Sequence, residues 1–269
     1  MSNDGDRAAD ARRAYAASLS HGAAALERAF ASVAREDFLP APPWTIYDAV
    51  GEQTVRDPAH LYADVLVAID RAKGINNGQP SLHAEWIRAV DPQPGETIVH
   101  VGCGGGYYTA ILAELVGEAG RVIAYEIEPE VAALARRSLS SRPNVEVRDV
   151  SGAAGDLPAC DVIYVNAAAE APAREWIAAL RDGGRLIFPW RHSNDGETAM
   201  LVRRAGDVYA AASLTWVKFI GLTGARPQKA RRMESRLSVD RIRELVLRDR
   251  RLPDQTCAAD FGWGWFSAP

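Results

Sequence analysis

From residue 81 onward, apolar positions alternate between a helical spacing and short continuous runs. "SLHAEWIRAV" has the helical spacing, and "DPQPGE" breaks it. "TIVHV" reads as a buried strand, "YYTAILAELVG" as a helix ending at Gly117, and "RVIAYEI" as a second strand. "PEVAALARRSLS" opens on Pro129, which suits the first turn of a helix. "NVEVRDV" and "CDVIYVNA" follow as strands, "APAREWIAAL" as a helix, "RDGG" as a turn and "RLIFPW" as a fifth strand. "TAMLVRRAGDVYAAASLTWVKFIGL" predicts antiparallel strands closing one sheet edge. Strands alternating with helices of roughly 10–15 residues imply βαβ units. The pattern therefore predicts an α/β fold with a doubly wound, mostly parallel sheet.

The flanks read differently. Residues 1 to 35 are rich in Ala, Arg and Asp, and "AAALERAFASVA" has helical spacing, so N-terminal helices are expected. The prolines and mixed polarity of "REDFLPAPPWTIYDAVGEQTVRDP" predict an irregular covering segment. "LYADVLVAID" fits helix or strand, and its branched residues favour strand. From residue 225 to Arg251 there are ten Lys/Arg and four Asp/Glu. There "SVDRIRELVLRDRR" predicts an amphipathic helix capped by Ser238, with Val239, Ile242, Leu245 and Val246 on one face. It is either a solvated helix packed on the domain, or it serves an anionic partner or forms a peptide-binding lid. The aromatic terminus "FGWGWFSAP" is expected to dock. These shifts give a covering segment over 1–72, a ligand-binding core over 73–224 and a basic helical extension over 225–269.

Composition narrows the class. With 269 residues and 48% apolar content, the chain can bury a sizeable core without staples. A net charge of −4 gives no general attraction to nucleic acid or anionic membrane, so neither is expected as a partner. Cys103, Cys160 and Cys257 are scattered, without metal-ligand spacing, and fit reduced thiols in a cytoplasm. No apolar run reaches the roughly 18 residues a membrane span needs.

The candidate chemistry sits in "TIVHVGCGGGYYTAIL". A strand that turns into a helix leaves N–H groups unpaired, and glycines bring a ligand close to them. Gly102, Cys103, Gly104 and Gly106 form this loop at the carboxyl end of a strand, where parallel sheets bind ligands. A dinucleotide site wants G-x-G-x-x-G, but position 107 is Tyr. Glu126, followed by Ile127, ends the next strand, and an acid there can accept from ribose hydroxyls. Without a pyrophosphate the ligand can be shorter and zwitterionic. S-adenosylmethionine fits, with its ribose on Glu126 and its amino-acid end over the glycines.

"GCGGGYYTAILAELVGEAGRVIAYEIEPE", "NVEVRDVSGAAGDLP", "CDVIYVNAAAE" and "LRDGGRLIFPW" stand in the order and spacing of the protein-L-isoaspartate O-methyltransferase family, which this chain resembles over roughly residues 24–224. "REDFLP", "INNGQPSLHAEWIRAV" and "VKFIGLTG" are similar to further family segments. The resemblance implies a class I S-adenosylmethionine-dependent methyltransferase fold. It also implies methylation of a carboxylate on an aspartyl or isoaspartyl side chain of a peptide or protein, followed by succinimide formation. Departures are equally visible. His100 stands where the family has an acid, either as a core histidine or as a contact to the methionine amino group. Asp149, Val150 and Ser151 stand near the family's adenine-cradling Gly-Asp-Gly segment, and Ser151 or Asp149 takes that contact. Gly78 holds the place of the family's substrate-loop Ser. Asn76 and Asn77 beside it form either a tight turn or a replacement set of amide donors.

Methyl transfer to a carboxylate needs no strong base, because the acceptor is already ionised at neutral pH. It needs desolvation and in-line alignment. Asn76, Asn77, Gln79, Ser81 and the backbone at Gly78 are the candidate orienting groups. Asn166, at the end of the fourth strand, either positions substrate or is a turn residue. The acceptor is either general isoaspartyl sites or one dedicated acidic peptide. A small-molecule methyltransferase and a non-catalytic cofactor-binding module are the alternatives.

Overall fold

The computed structural model describes residues 3–193, 196–224 and 239–269. The chain divides into two compact units, one comprising residues up to Glu96 with Cys103–Asp149, the other Thr97–Gly102 with Val150–Pro269.

The first unit opens with α1 (Asn3–Ser20) and α2 (Ala24–Ser32), then a 3-10 turn at Arg35–Phe38. The segment expected to be irregular instead contains a hairpin, β1 (Trp44–Tyr47) and β2 (Glu52–Val55). Its alternation is short but real. Trp44 and Ile46 turn inward onto Leu39, Leu61, Val65 and Val67, whereas β2 is largely exposed and carries no apolar signal. Pro40, Pro42 and Pro43 precede the hairpin and Pro58 follows it, so none interrupts it. Asp48 makes its turn, accepting from Val50 N and Gly51 N. As its branched residues suggest, Leu66–Asp70 is a strand, β3, and it pairs with both β1 and the two-residue β4 (Ile75–Asn76). The sheet order is β2-β1-β3-β4.

The next helix is α3 (Pro80–Val90), with Pro80 in its first turn. The strand β5 (Thr97–Val101) belongs to the second unit. Back in the first unit come α4 (Tyr107–Val116), β6 (Arg121–Tyr125), α5 (Pro129–Ser138) and β7 (Val145–Arg148). β6 and β7 are parallel, α4 packs on β6, and α5 packs on β7. The Asn144 amide donates to the Ala113 and Gly117 carbonyls and closes the end of α4.

The second unit continues with β8 (Cys160–Val165), α6 (Arg174–Ala179), β9 (Leu180–Arg191), β10 (Glu197–Ala205) and β11 (Val208–Trp216). β5, β8 and β9 are parallel neighbours, as the βαβ pattern requires. From β9 onward the pairing is antiparallel. This edge extends further than expected, because β12 (Glu244–Leu247), β13 (Cys257–Asp260) and β14 (Gly264–Ser267) continue it in the order β11-β12-β14-β13.

The helix expected over "SVDRIRELVLRDRR" is therefore overturned for its described part. Val239–Arg241 is a 3-10 turn and Glu244–Leu247 is a strand, while Ser238 lies outside the described residues. Leu245 and Val246 are both buried although adjacent, which needs a strand covered on both faces. They pair with Phe266 and Trp265, and this long-range aromatic partner outweighs local helical periodicity. Arg248, Arg250 and Arg251 form ion pairs with Asp260, Asp207 and Glu244. The aromatic terminus docks as expected: Trp265 and Phe266 are fully buried, and Trp190 meets Phe266 edge-on at 4.9 Å. Trp265→Ala is expected to cost about 3–5 kcal/mol, read as a lower denaturation midpoint; a shift no larger than a surface substitution gives would detach these strands from the core.

Candidate active site

The glycine loop is shaped by backbone conformations closed to other residues. Gly102, Gly104 and Gly106 have φ of +73°, +57° and +96°, the left-handed region glycine enters without strain. Gly105, between them, is the tightest point of the loop, since a Cβ there would lie 2.1 Å from the Phe38 carbonyl oxygen. Phe38 ends the "REDF" turn, so the N-terminal segment is pressed against this loop.

Glu126 stands at the end of β6, nearly buried. One carboxylate oxygen accepts from Gly104 N at 2.9 Å, the other from Ile127 N at 2.9 Å and Glu128 N at 3.1 Å. Burial holds its pKa above the usual carboxylate value, and these three backbone donors offset only part of that rise. A carboxylate offers about four acceptor positions; three are engaged, so the oxygen facing Gly104 has room for one more donor. Ile127 is an exposed apolar residue beside Glu126. Cys103 is buried, with its thiol pKa pushed up mainly by burial, and its N donates to Tyr125 O. It is part of the loop's frame. Asp149 forms an ion pair with Arg136 at 3.5 Å.

In the second unit, His100 is fully buried on β5 and its ring meets Tyr164 edge-on. Its Nε2 lies 2.9 Å from Asn166 Nδ2. Val150 is exposed, and Ser151 Oγ donates to Thr223 O and accepts from Ala153 N. That hydroxyl is thus engaged in holding its own loop.

The candidate orienting loop, Asn76 to Ser81, is held by several side-chain hydrogen bonds. Asn76 Oδ1 accepts from Gly78 N at 2.9 Å, the tight turn that was one of the two readings. Asn77 is buried and its Oδ1 accepts from Arg35 Nε at 2.8 Å. Gln79 Nε2, Ser81 N and Ser81 Oγ all donate to Asp64, at 2.7–2.8 Å. A carboxylate of this chain therefore already takes the donors proposed for an acceptor carboxylate. Gly78 has φ +52°, and a Cβ there would lie 2.2 Å from His83 Nε2. His83 is buried and stacks on Tyr108 with centroids 3.7 Å apart, and Tyr108 OH donates to Gly78 O. The imidazole thus fills the volume a side chain at 78 would need.

Arg35, Asp64, His83 and Tyr108 were not singled out from the sequence. Nothing local marks them: Asp64 reaches donors 15 and 17 residues away, and Arg35 reaches partners 26 to 43 residues away. Only the "REDF" resemblance pointed toward Arg35. Gly78→Ser is expected to destabilise the protein by about 1–3 kcal/mol, measured by denaturant titration. Adding His83→Ala is expected to recover part of that loss, and no recovery would show that backbone strain alone sets it.

Comparison with known proteins follows from this geometry. Residues 20–227 match the family model described as protein-L-isoaspartate(D-aspartate) O-methyltransferase. A protein-L-isoaspartate O-methyltransferase of Aeropyrum pernix is 38% identical over 152 residues, 51% of this chain and 58% of that one. The chain thus spans little more than half of that relative's length. Protein-L-isoaspartate O-methyltransferase 1 of Archaeoglobus fulgidus is 31% identical over 187 residues, covering 63% and 84% of the two chains. A solved structure titled protein-L-isoaspartate O-methyltransferase superposes with a TM-score of 0.65 at 23% identity, covering 78% and 69%. A putative one from Plasmodium falciparum, in complex with S-adenosyl-L-homocysteine, gives 0.64 at 17%, covering 79% and 98%. At these identities the solved structures speak for the fold, that of class I S-adenosylmethionine-dependent methyltransferases. The family model spans most of the chain, and the chain belongs to the protein-L-isoaspartate(D-aspartate) O-methyltransferase family.

Proposed function

We propose that this chain is an S-adenosylmethionine-dependent carboxyl O-methyltransferase acting on aspartyl or isoaspartyl side chains of a peptide or protein, with the ester closing to a succinimide. The observation that carries the reading is the Glu126 carboxylate joined to Gly104 N at a strand-to-helix loop of positive-φ glycines. That donor set fits the group: glycines admit a close ligand, and one acceptor position on Glu126 remains for a hydroxyl. When bound, S-adenosylmethionine supplies a methyl carbon on a sulfonium, and its transfer to a carboxylate leaves a neutral thioether.

The chain's own residues do the rest. Glu126 takes a ribose hydroxyl, and the exposed face of Ile127 beside it takes the adenine. The loop from Asn76 to Ser81 is rigid before the acceptor arrives, because Arg35, Asp64 and Tyr108 hold it. Such preorganisation lowers the entropy of alignment, the main requirement when the nucleophile is already charged. No general base is invoked. Among the described residues, no helix is long and apolar enough to cross a membrane.

The closed side-chain volume at Gly78 supports a second, narrower reading. A loop that lacks the family's serine, and has no room for it, fits an enzyme committed to ordinary Asp in one partner peptide. The basic stretch after residue 225 adds little in its described part, where Arg248, Arg250 and Arg251 are ion-paired within the chain.

Incubation of matched isoAsp and Asp peptides with the protein and S-adenosylmethionine tests both readings by mass spectrometry. A methyl-ester gain or the loss of one water on isoAsp peptides supports general action, and on a subset of Asp peptides the narrower one. No change across a full panel, with cofactor bound, leaves a small-molecule acceptor or a binding module. Glu126→Ala is expected to weaken cofactor affinity by about 1–3 kcal/mol in calorimetry; unchanged affinity would remove Glu126 from the ribose.

A further inference from the structure

The loop from Asn76 to Ser81 carries the chain's one Asn-Gly pair, Asn77–Gly78. Such a pair has a reaction of its own. The glycine nitrogen attacks the asparagine Cγ, the Cγ–Nδ2 bond breaks, and ammonia leaves with the proton that the glycine nitrogen gave up. Water then opens the five-membered imide. Addition at Cγ gives Asp, and addition at the α-carbonyl carbon gives isoAsp. Glycine favours ring closure, because no Cβ crowds the nucleophilic nitrogen and its backbone turns freely.

In the folded first unit both reacting groups are held. Gly78 N donates to Asn76 Oδ1 at 2.9 Å, and a backbone nitrogen only donates, so the Asn76 amide has one orientation. A neutral amide oxygen cannot take that proton, and a hydrogen bond to the intact N–H disfavours the ionised, nucleophilic form. Asn77 is buried, and its Oδ1 accepts from Arg35 Nε at 2.8 Å. The guanidinium has only donors, so this amide is oriented too. The flanking backbone is tied as well. Asn77 N donates to Val67 O at 2.7 Å, Arg35 Nη2 donates to the carbonyl oxygens of Asn77 and Gly78, and Tyr108 OH donates to Gly78 O.

Ring closure must swing Asn77 Cγ over Gly78 N, turning both the side chain and the peptide plane that follows it. That motion parts Oδ1 from Arg35 and Gly78 N from Asn76. The Arg35 charge polarises Cγ and by itself favours attack; the fixed geometry and the engaged N–H oppose it. We infer that Asn77–Gly78 is a latent modification site, an imide-forming pair that reacts only when the loop opens, and that the Asn76 side chain guards it. The inference holds whether or not the loop receives an acceptor, and it gives Asn76 a task that methyl transfer does not require. Its position gives the lesion consequence. An isoAsp at 77 lengthens the backbone by one carbon beside Arg35 and takes apart the contacts that shape the loop.

Incubation at mildly alkaline pH tests it, followed by peptide mapping with electron-transfer fragmentation, which separates Asn, Asp and isoAsp at position 77. The folded protein, the urea-unfolded protein and the synthetic peptide KGINNGQPSLH are compared. The folded protein is expected to convert at least about tenfold more slowly than the other two, because reaction waits on local opening. Asn76→Ala and Asn76→Leu, checked for folding by thermal melts, are expected to convert about three- to tenfold faster than the unaltered protein, through loss of one hydrogen bond. Asn76→Asp keeps an oxygen acceptor for Gly78 N and is expected to stay protected. Hydrogen exchange in the unaltered protein is expected to show a protected Gly78 N–H. Conversion of the folded protein at the peptide's rate, or rapid exchange at Gly78, overturns the guarded state. Folded alanine and leucine variants that convert no faster than the unaltered protein overturn the assignment to Asn76. No conversion in the peptide or the unfolded protein overturns the site itself.

Discussion

A single buried cation holds the first unit's working parts in register. Arg35 is fully buried, and its described partners are all neutral oxygens: the carbonyls of Leu61, Ala63, Val65, Asn77 and Gly78, and the Asn77 side chain. Among the described residues no carboxylate pairs with it. Removing a guanidinium from water is costly unless every donor is satisfied, so these contacts form together or not at all. They tie the run-up to β3 and the acceptor loop to the "REDF" turn. The same guanidinium lies over the Tyr107 ring at 5.7 Å, and Tyr107 begins α4 directly after Gly106. Three loops with little regular structure of their own thus share one centre.

The aromatic surroundings of that centre explain the N-terminal helices. Tyr15 on α1 meets Phe30 on α2 and Tyr62 edge-on, and its hydroxyl lies 3.3 Å from that of Tyr107. Burial raises the pKa of both Tyr15 and Tyr107, so they stay neutral donors and acceptors beside the arginine. Phe38, whose carbonyl limits Gly105, also packs against Tyr107. The glycine at 105 is therefore a consequence of tertiary packing and not a device for ligand approach, a distinction that sequence spacing cannot make.

What was legible in the sequence follows from the range of the forces involved. "TIVHV", "RVIAYEI" and "CDVIYVNA" were readable because a strand buried on both faces is apolar throughout, whatever it pairs with. The positive-φ glycines and Glu126 were readable because loop chemistry there is local, with Gly104 and Glu126 joined at consecutive strand ends. "WTIY" was missed because only two of its residues face a core built from elsewhere in the chain. "ELVL" was misread as helix because "GWFS", some 20 residues on, decides its state. In the site, the amides of Asn76, Asn77 and Gln79 were visible as residue types, but their engagement depended on Arg35 and Asp64. Neither carries a pattern of its own.

The same engagement constrains how an acceptor can be recognised. The Asp64 carboxylate already accepts from Gln79 and Ser81 at the start of α3, and His83 fills the space at Gly78. Side-chain donors of this loop are thus committed to holding its shape. An incoming carboxylate must either displace Asp64 or be oriented without these side chains, and it meets a loop whose carbonyls are drawn inward to Arg35. Carbonyls turned toward a buried cation are turned away from an approaching anion, which removes the repulsion an ordinary loop would present. Among the described residues no carboxylate pairs with the positive charge beneath them. In the proposed function, an anionic acceptor meets inward-turned carbonyls over a buried charge, and Gly78 offers it no side-chain hydroxyl.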